Sequence, residues 1–393
     1  MKVKNIKKLI YLTFIYIFNR FPIKTNKIFF YSYYGSQYGC NPKYITEYIR
    51  ENYPSDKFDI VWAFNHIQKK DELMHIRSVK NMSLKYFYEL CTSKVIITNY
   101  RTTDLFVKRK GQYYIQTWHS SLRLKQIERD AENTLPTHYV EMAKLDSMKC
   151  DLLLSGCKFS TDIFKRSFWY TGEIFEYGTP RNDLFFQTNT EKRKSILNQL
   201  SISLDTRILL YAPTFRSENN INAYNMDYEK LIKTLQAKFG GNWKVLVRLH
   251  PHLLSEVDQM GFSENIVNVT TYDDVQELMF VADVLISDYS SLIFDFSITN
   301  KPCFLYIPDV QEYTKSERKL YFKLMELPFL SATTNDELFQ KINDFNASDY
   351  TKKLDEFSHK VGSFEKGRAS EYLLKRICNV CFTDRKDEIN EAI

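Results

Sequence analysis

The feature that most constrains the fold is an alternation of two segment types. From residue 28 onward, short runs of β-branched and aromatic residues alternate with longer segments of helical pattern. This alternation is typical of βα units that build a mostly parallel sheet. The runs that fit strands lie at residues 28–33, 58–64, 95–99, 113–117, 152–155, 174–177, 207–212, 244–249, 266–269, 284–287, 302–307 and 329–331. The sequence therefore predicts an α/β fold.

The chain length indicates more than one domain. Single hydrophobic cores stop growing at roughly 250–300 residues, and the chain has 393. A polar, helical segment at residues 184–203 separates the first six strand candidates from the second six. We therefore predict two doubly wound parallel-sheet domains, at residues 25–190 and 200–380, whose strand ends face a common cleft.

Composition excludes several classes of protein. The 54 Lys and Arg exceed the 48 Asp and Glu by only 6, and no RNA-binding pattern of basic and aromatic residues occurs, so we expect no nucleic-acid partner. The small excess suits phosphate-bearing ligands or an anionic membrane surface. An odd count of 7 cysteines argues against a secreted disulfide framework and favours the cytoplasm. Cys378 and Cys381 form a lone CxxC without zinc-site partners, so we expect no metal and no cofactor.

Residues 1–24 are predicted to be a membrane-associating segment. Lysines at positions 2, 4, 7 and 8 precede an apolar stretch from Leu9 to Phe18, which is too short to span a bilayer. A basic, apolar helix of this kind suits the membrane interface. No small-residue cleavage site follows it, which argues against a signal peptide. The alternative is a first helix whose apolar face packs on the domain.

Polar clusters follow many of the predicted strands. Ligands of open α/β sheets bind outside the carboxyl ends of the strands, so these clusters are where chemistry is expected. The clusters are TWHSS (117–121), SGCKFSTD (155–162), YGTPRND (177–183), YAPTFR (211–216), RLHP (248–251) and SDYSS (287–291).

His119 is the candidate general base. It follows an apolar strand directly, and its ordinary pKa lies near the working pH, so the ring can take a proton from an attacking hydroxyl. A lone histidine is more often structural. Arg248 and His250 alternate at another strand end and can point to the same side, where they suit phosphate oxygens. Their structural alternative is an ion pair and a packed ring.

The SDYSS cluster suits an anion at the start of a helix. Ser290 and Ser291 would offer hydroxyls beside free backbone N–H groups, although an ordinary serine cap explains them equally well. Asp295, four residues after Ser291, can accept hydrogen bonds from ligand hydroxyls or complement the helix dipole. Arg181, Pro213, Thr214 and Arg216 add phosphate-type or sugar-type contacts in turns at other strand ends.

Taken together and in this order, the motifs from Gln116 to Tyr306 resemble the CDP-glycerol glycerophosphotransferase family, which includes teichoic acid primases and polymerases. The resemblance implies a two-domain, glycosyltransferase B-like fold with the donor held mainly by the second domain and the catalytic histidine in the first, acceptor-side domain. Ser120 departs from the glycine that often follows the first histidine in the family. The implied donor site consists of Trp118, His119, Ser120, Ser121, Arg181, Pro213, Thr214, Arg248, His250, Ser290, Ser291 and Asp295.

The resemblance also implies the reaction. A hydroxyl of a lipid-linked teichoic acid or other cell-surface glycan would attack the β-phosphorus of CDP-glycerol, or of a related CDP-alditol, and release CMP at the cytoplasmic face of the membrane. His119 would be the base, while Arg248 and His250 would steady the phosphates. The residues alone leave two alternatives open: a nucleotide-sugar glycosyltransferase of the same fold, and a non-catalytic membrane-bound scaffold.

Overall fold

The computed structural model describes residues 2–66, 76–103, 105–216, 225–249, 264–316 and 319–382. The chain forms two compact units. Unit 1 comprises Met1–His119, Glu128–Asp183 and Phe364–Ile393, and unit 2 comprises Ser120–Ile127 and Leu184–Ser363. The chain thus passes into unit 2 directly after His119 and returns at Glu128.

Each unit contains a sheet whose strands pair in parallel. Among the described residues the order in unit 1 is β3-β2-β1-β4-β5-β6-β7, and the order in unit 2 is β10-β9-β8-β11-β12-β13. The strands are β1 (Lys24–Tyr31), β2 (Asp59–Phe64), β3 (Arg77–Lys80), β4 (Ser93–Thr98), β5 (Tyr113–Gln116), β6 (Leu152–Leu154), β7 (Glu173–Phe175), β8 (Arg207–Tyr211), β9 (Trp243–Val247), β10 (Ile266–Asn268), β11 (Val284–Ser287), β12 (Cys303–Tyr306) and β13 (Leu330–Ala332).

Helices connect the strands, as the crossover between parallel strands requires. They are α1 (Lys2–Phe18), α2 (Cys40–Asn52), α3 (Leu84–Thr92), α4 (Thr137–Lys149), α5 (Lys158–Ser167), α6 (Thr190–Gln199), α7 (Tyr228–Phe239), α8 (Val275–Val281), α9 (Leu292–Ser297), α10 (Val310–Ser316), α11 (Asn335–Asn343), α12 (Ala347–Val361) and α13 (Ala369–Phe382). The predicted α/β class and all twelve predicted strands are confirmed, with ends shifted by a few residues.

The core of unit 1 lies on both faces of its sheet, because successive residues of a strand point to opposite faces. Ile28 and Phe30 of β1 pack in the cluster that includes Leu373 of α13. Phe29 of β1 packs on the other face, in the cluster that includes Phe87 of α3. Burial on both faces explains the apolar runs at residues 28–30 of β1 and 95–97 of β4.

The structure differs from the sequence-based division in three places. β3 was not predicted, because its sequence RSVK contains one apolar residue and lies at the sheet edge. Helix α13, placed by the sequence in the second domain at 200–380, belongs to unit 1, where Leu373, Leu374 and Ile377 are buried. Residues 120–127, placed in the first domain at 25–190, belong to unit 2. Both assignments depend on contacts distant in sequence.

The N-terminal segment forms the helix α1, which packs on α3. Ile15 is buried, the Tyr11 ring lies 5.0 Å from the Phe87 ring, and the Phe18 ring lies 5.7 Å from the Tyr88 ring. Other apolar side chains of α1 are exposed, and they are Ile6, Leu9, Ile10, Tyr16 and Ile17. Across the described part of the chain, no helix has both the length and the apolar character that crossing a bilayer requires.

Candidate functional site

The strand order places the predicted site residues. In unit 1 the chain order reverses between β1 and β4, and in unit 2 it reverses between β8 and β11. Ligands of doubly wound sheets bind outside the carboxyl ends of the strands at such reversals. Candidate ligand-binding residues therefore lie after β1, β4 and β5 in unit 1 and, in unit 2, after β8, β9 and β11.

His119 lies three residues after the end of β5 and is oriented by a backbone carbonyl. Its Nδ1 is 3.1 Å from the carbonyl oxygen of Asn99, which follows β4. A carbonyl oxygen can only accept, so Nδ1 carries the proton and donates it in this bond. In the neutral ring the lone pair is then on Nε2, the nitrogen that can act as a base.

The backbone before His119 is strained. Trp118 has φ 52°, a left-handed value that is costly for a bulky residue. Its N–H donates to Oε1 of Gln116 at 2.9 Å, and its carbonyl accepts from Nδ2 of Asn41 at 3.2 Å. The ring of His119 stacks on the Tyr100 ring at 4.7 Å and on the Trp118 ring at 4.5 Å. These contacts fix the imidazole from several directions.

Arg181 is brought to the same cluster by Asn41. The N–H of Arg181 donates to Oδ1 of Asn41 at 3.0 Å, and its Nη1 lies 3.3 Å from Sγ of Cys40. Its side chain is buried. The turn that carries it is held by Glu365, which accepts from the Thr179 hydroxyl at 2.7 Å and from the Thr179 N–H at 3.2 Å. Asn41 therefore links Arg181 to Trp118, the neighbour of His119, within unit 1, and contact of these three residues with a ligand stays a prediction.

In unit 2, Pro213 and Thr214 lie at the reversal of strand order. The N–H of Thr214 donates to the Asp288 carboxylate at 2.9 Å, which joins the ends of β8 and β11. Asp288 also pairs with Arg216 at 2.9 Å, and Arg216 pairs with Asp309 at 2.5 Å. Burial alone would lower the pKa of Arg216, but the two carboxylates outweigh it and raise that pKa. Arg216 is thus a structural cation that shapes the turn.

Arg248 directly follows β9 and is half-buried. Its guanidinium donates to the carbonyl oxygens of Val269, at 3.3 Å, and of Tyr272. These bonds orient the side chain, and its direct contact with an anionic ligand stays a prediction. His250, its predicted partner, lies outside the described residues.

Four residues predicted to contact the ligand form hydrogen bonds within unit 2 that involve residues 120–127. The hydroxyl of Ser121 donates to the Asp295 carboxylate at 2.9 Å, and the hydroxyl of Ser291 accepts from the N–H of Leu124 at 3.2 Å. Ser120 accepts from Arg123 through its carbonyl at 3.1 Å. Asp295 is fully buried. Direct ligand contact stays a prediction for these four residues, and the geometry favours a structural role for each.

Ser290 differs from its neighbour. It is half-buried, and its hydroxyl accepts weakly from the N–H of Leu292 at 3.4 Å. The helix that follows, α9, is only six residues long, so its dipole adds little to anion binding. Ser290 therefore remains the SDYSS serine that suits direct contact with a phosphate.

Sequence reasoning missed several residues that build the site. Asn41, Asn99 and Tyr100 orient Trp118 and His119, while Asp288 and Asp309 shape the turn at Thr214. The rule that polar residues after strands carry function would have found Asn99 and Tyr100 had it been applied to the end of β4. Where the structure describes the chain, no group of three His, Cys, Asp or Glu side chains could hold a metal ion.

Comparison with known proteins supplies the family. The family described as CDP-Glycerol:Poly(glycerophosphate) glycerophosphotransferase matches residues 13–379. The chain is 31% identical over 392 residues to the teichoic acid poly(glycerol phosphate) polymerase of Bacillus subtilis strain 168, covering 96% of this chain and 52% of that protein. It therefore spans about half the length of that relative.

A second relative matches along its full length, and a solved structure matches along nearly all of its chain. The chain is 31% identical to the teichoic acid glycerol-phosphate transferase of Staphylococcus aureus strain NCTC 8325, covering 97% of this chain and 100% of that protein. A structure of the wall teichoic acid polymerase TagF, in a variant soaked with CDPG, matches with a TM-score of 0.83 at 27% identity, over 98% of this chain and 97% of that chain. The likeness confirms the α/β fold with two parallel sheets.

Proposed function

Because the chain belongs to the CDP-glycerol:poly(glycerophosphate) glycerophosphotransferase family, we propose that it transfers a glycerol-phosphate-type group from a CDP-linked donor. The acceptor is a hydroxyl of a lipid-linked teichoic acid or another cell-surface glycan, and the released product is CMP. The names of the relatives, which are glycerol-phosphate polymerases and transferases, support this class of donor.

The observation that carries the proposal is the orientation of His119. An acceptor hydroxyl is a weak nucleophile until a base takes its proton. Because Nδ1 is bound to the Asn99 carbonyl, Nε2 is the nitrogen that takes this proton. The acceptor oxygen forms a bond to the β-phosphorus, and the bond from that phosphorus to the bridging oxygen breaks. The electron pair leaves with CMP.

Cationic and hydrogen-bonding groups stabilise the phosphates during this transfer. Arg248 offers a guanidinium oriented by carbonyls, Ser290 offers a hydroxyl, and His250 is proposed to assist them. Pro213 and Thr214 form the turn at the carboxyl end of β8 that contacts the nucleotide. Electrostatic stabilisation of this type contributes most of the rate enhancement in phosphoryl transfer. Unit 2 is therefore proposed to hold the donor, and unit 1 to supply the base and act on the acceptor side.

Attachment to the cytoplasmic face of the membrane, through anionic lipids, is proposed for α1. The exposed residues Ile6, Leu9, Ile10, Tyr16 and Ile17 recur at separations of three, four and seven positions, so they share one stripe of the helix. The opposite stripe packs on α3 through Ile15 and Tyr11. One face of α1 therefore packs on the domain. The exposed stripe, here called the outer face, suits a position at the membrane interface.

The experiment that tests the function measures CMP release by purified protein with CDP-glycerol or CDP-ribitol and a membrane-derived acceptor. CMP release with one of these donors is expected, and the preferred donor identifies the alditol. Release of UDP or GDP from a nucleotide-sugar panel, with no CMP, would replace the proposal by a glycosyltransferase. Binding of CDP-glycerol without turnover on any acceptor would favour a scaffold.

A further inference from the structure

Residues 99–102, which follow β4, form a short loop beside the catalytic histidine of unit 1. The carbonyl oxygen of Asn99 accepts from His119, and the ring of Tyr100 stacks on the imidazole at an interplanar angle of 13°. The side chain of Asn99 is fully buried, and its Oδ1 accepts from the N–H of Tyr33 at 2.9 Å. The position of this loop therefore decides where the imidazole lies.

A buried ion cluster anchors the loop. The guanidinium of Arg101 donates to Oε2 of Glu128 at 2.9 Å, to Oδ2 of Asp146 at 3.2 Å and to the hydroxyl of Ser147 at 2.8 Å. The next residue, Thr102, donates its N–H to Oδ1 of Asp146 at 3.0 Å. Arg101, Glu128 and Asp146 are all at most 2% exposed. The loop is thus tied to α4 and to the segment that precedes it.

The same cluster reaches the histidine along a second route. The Arg101 guanidinium lies 3.7 Å from the ring centroid of Phe168, and the Phe168 ring meets the Trp118 ring edge-on at 4.9 Å. Trp118 is the strained residue that precedes His119. In addition, Glu128 has φ 54° and accepts from the Tyr139 hydroxyl at 2.7 Å. Arg101 therefore supports both rings that stack on the imidazole: Tyr100 as its neighbour in the loop, and Trp118 through Phe168.

Burying charged groups costs free energy of desolvation, and apolar residues of similar volume often give equal or greater stability. What a guanidinium adds is direction, because its planar fork fixes the angles at which carboxylates bind. Burial would lower the Arg101 pKa, but Glu128 and Asp146 raise it, so the group stays charged. Such an arrangement suits a loop whose carbonyl must meet one nitrogen of an imidazole.

We propose that the loop of residues 99–102 positions His119: the Asn99 carbonyl selects the tautomer with the proton on Nδ1, and the Arg101 ion cluster holds that carbonyl in place. Arg101, Glu128 and Asp146 are positioning residues and not catalytic ones. The catalytic meaning of this inference rests on the proposed function, in which Nε2 is the base. The tautomer itself does not depend on turnover, so an experiment can reject the positioning of His119 and the proposed function separately.

The test compares the wild-type protein with Arg101→Lys, which keeps the charge and loses the fork. Long-range proton–nitrogen correlations of ¹⁵N-histidine-labelled protein report the tautomer, and the signal is assigned by its loss in His119→Gln. Wild type is expected to protonate Nδ1, whereas Arg101→Lys is expected to mix the two tautomers. In the CMP-release assay, kcat should fall roughly 100-fold, the loss expected from a displaced catalytic group. The KM for the CDP-linked donor should stay within about three-fold, because donor contacts are unchanged.

Glu89→Gln is the matched control, because Glu89 belongs to a buried ion pair with Lys27 that is remote from the loop. It is expected to lower stability while leaving the His119 signal as in wild type. Tyr139→Phe is a second test variant, for use if Arg101→Lys does not fold. It removes a single hydrogen bond to Glu128, so a smaller fall in kcat at unchanged KM is expected. A proton on Nε2 instead of Nδ1 in the wild-type protein would overturn the proposal. So would Arg101→Lys and Tyr139→Phe variants that both keep the wild-type tautomer and kcat. A selected tautomer without CMP release would instead count against the proposed function alone.

Discussion

The hydroxyl of Ser121 donates a hydrogen bond of 2.9 Å to the carboxylate of Asp295, a residue 174 positions later in the chain. Both residues come from motifs that suggest ligand binding. Their contact closes residues 120–127 onto α9, where Ser291 binds the N–H of Leu124. A second attachment is antiparallel pairing with residues 319–321, in which Gln126 donates its N–H to the Lys319 carbonyl at 2.8 Å. The residues directly after His119 are thereby fixed within unit 2.

Ser121→Ala is expected to lower the free energy of unfolding by about 1–3 kcal/mol, because it removes a donor from a buried carboxylate. The measurement is the shift of the urea midpoint. Ser358→Ala, at an exposed position of α12, is the control and should stay within about 0.5 kcal/mol of wild type. Equal midpoints for the two variants would show that the bond to Asp295 does not stabilise unit 2.

Arg216→Met is expected to lower the free energy of unfolding by roughly 3–5 kcal/mol, since it leaves the buried carboxylates of Asp288 and Asp309 without their shared cation. Chemical denaturation measures the loss. The matched control is Arg368→Met, which removes an exposed pair with Glu371 and should cost about 1 kcal/mol or less. A stable Arg216→Met protein that binds CDP-glycerol weakly would instead assign Arg216 to the ligand.

His119→Gln is expected to lower kcat for CMP release by roughly 10²–10⁴-fold, the usual contribution of a general base. Binding of CDP-glycerol, measured by calorimetry, should change little, because the phosphate contacts proposed for Arg248, His250 and Ser290 are unchanged. His359→Gln, on the exposed face of α12, should behave as wild type in both measurements. Undiminished turnover in His119→Gln would reject the assignment of the base.

Stability should depend on pH through Glu89. Burial would raise the pKa of this carboxyl, but the hydrogen bonds from Arg77 and Lys27 outweigh it and lower that pKa. A carboxyl with a lowered pKa in the folded state stabilises above its unfolded pKa, and the stabilisation is lost as pH falls through the folded pKa. The difference in melting temperature between wild type and Glu89→Gln should therefore shrink as pH falls from 7 to below about 4. A difference that stays constant over this interval would contradict the assignment.

Replacing Leu9, Ile10 and Ile17 by Ser is expected to reduce binding to anionic vesicles by roughly ten-fold or more, since even one fully inserted aliphatic side chain contributes about 1.5–3 kcal/mol. Vesicle sedimentation measures the effect. These substitutions are preferable to deletion of α1, which would also uncover Phe87 and Tyr88. The control, Leu204→Ser, changes an exposed apolar residue of unit 2. Equal sedimentation of the triple variant and the control would reject the outer face of α1 as the anchor.

The sequence by itself determined the fold class, the number of sheets and the strand ends at which the site residues lie. Apolar runs such as those of β1 and β8 indicate strands because burial on both faces of a parallel sheet disfavours polar residues. The order of strands and helices then places the motifs at carboxyl ends. Local patterns sufficed because strand propensity, chain direction and crossover connections are all properties of neighbouring residues.

Only the tertiary structure decided which polar residues orient the base and which hold the chain. Asn99 and Asn41 resemble ordinary loop residues in the sequence, yet they bind His119 and Trp118. Conversely, Asp295 follows a motif that suggests a ligand and is buried against Ser121. Hydrogen bonds have a range of about 3 Å and strict angles, so their partners depend on how distant segments pack, and no local pattern of residues encodes that packing.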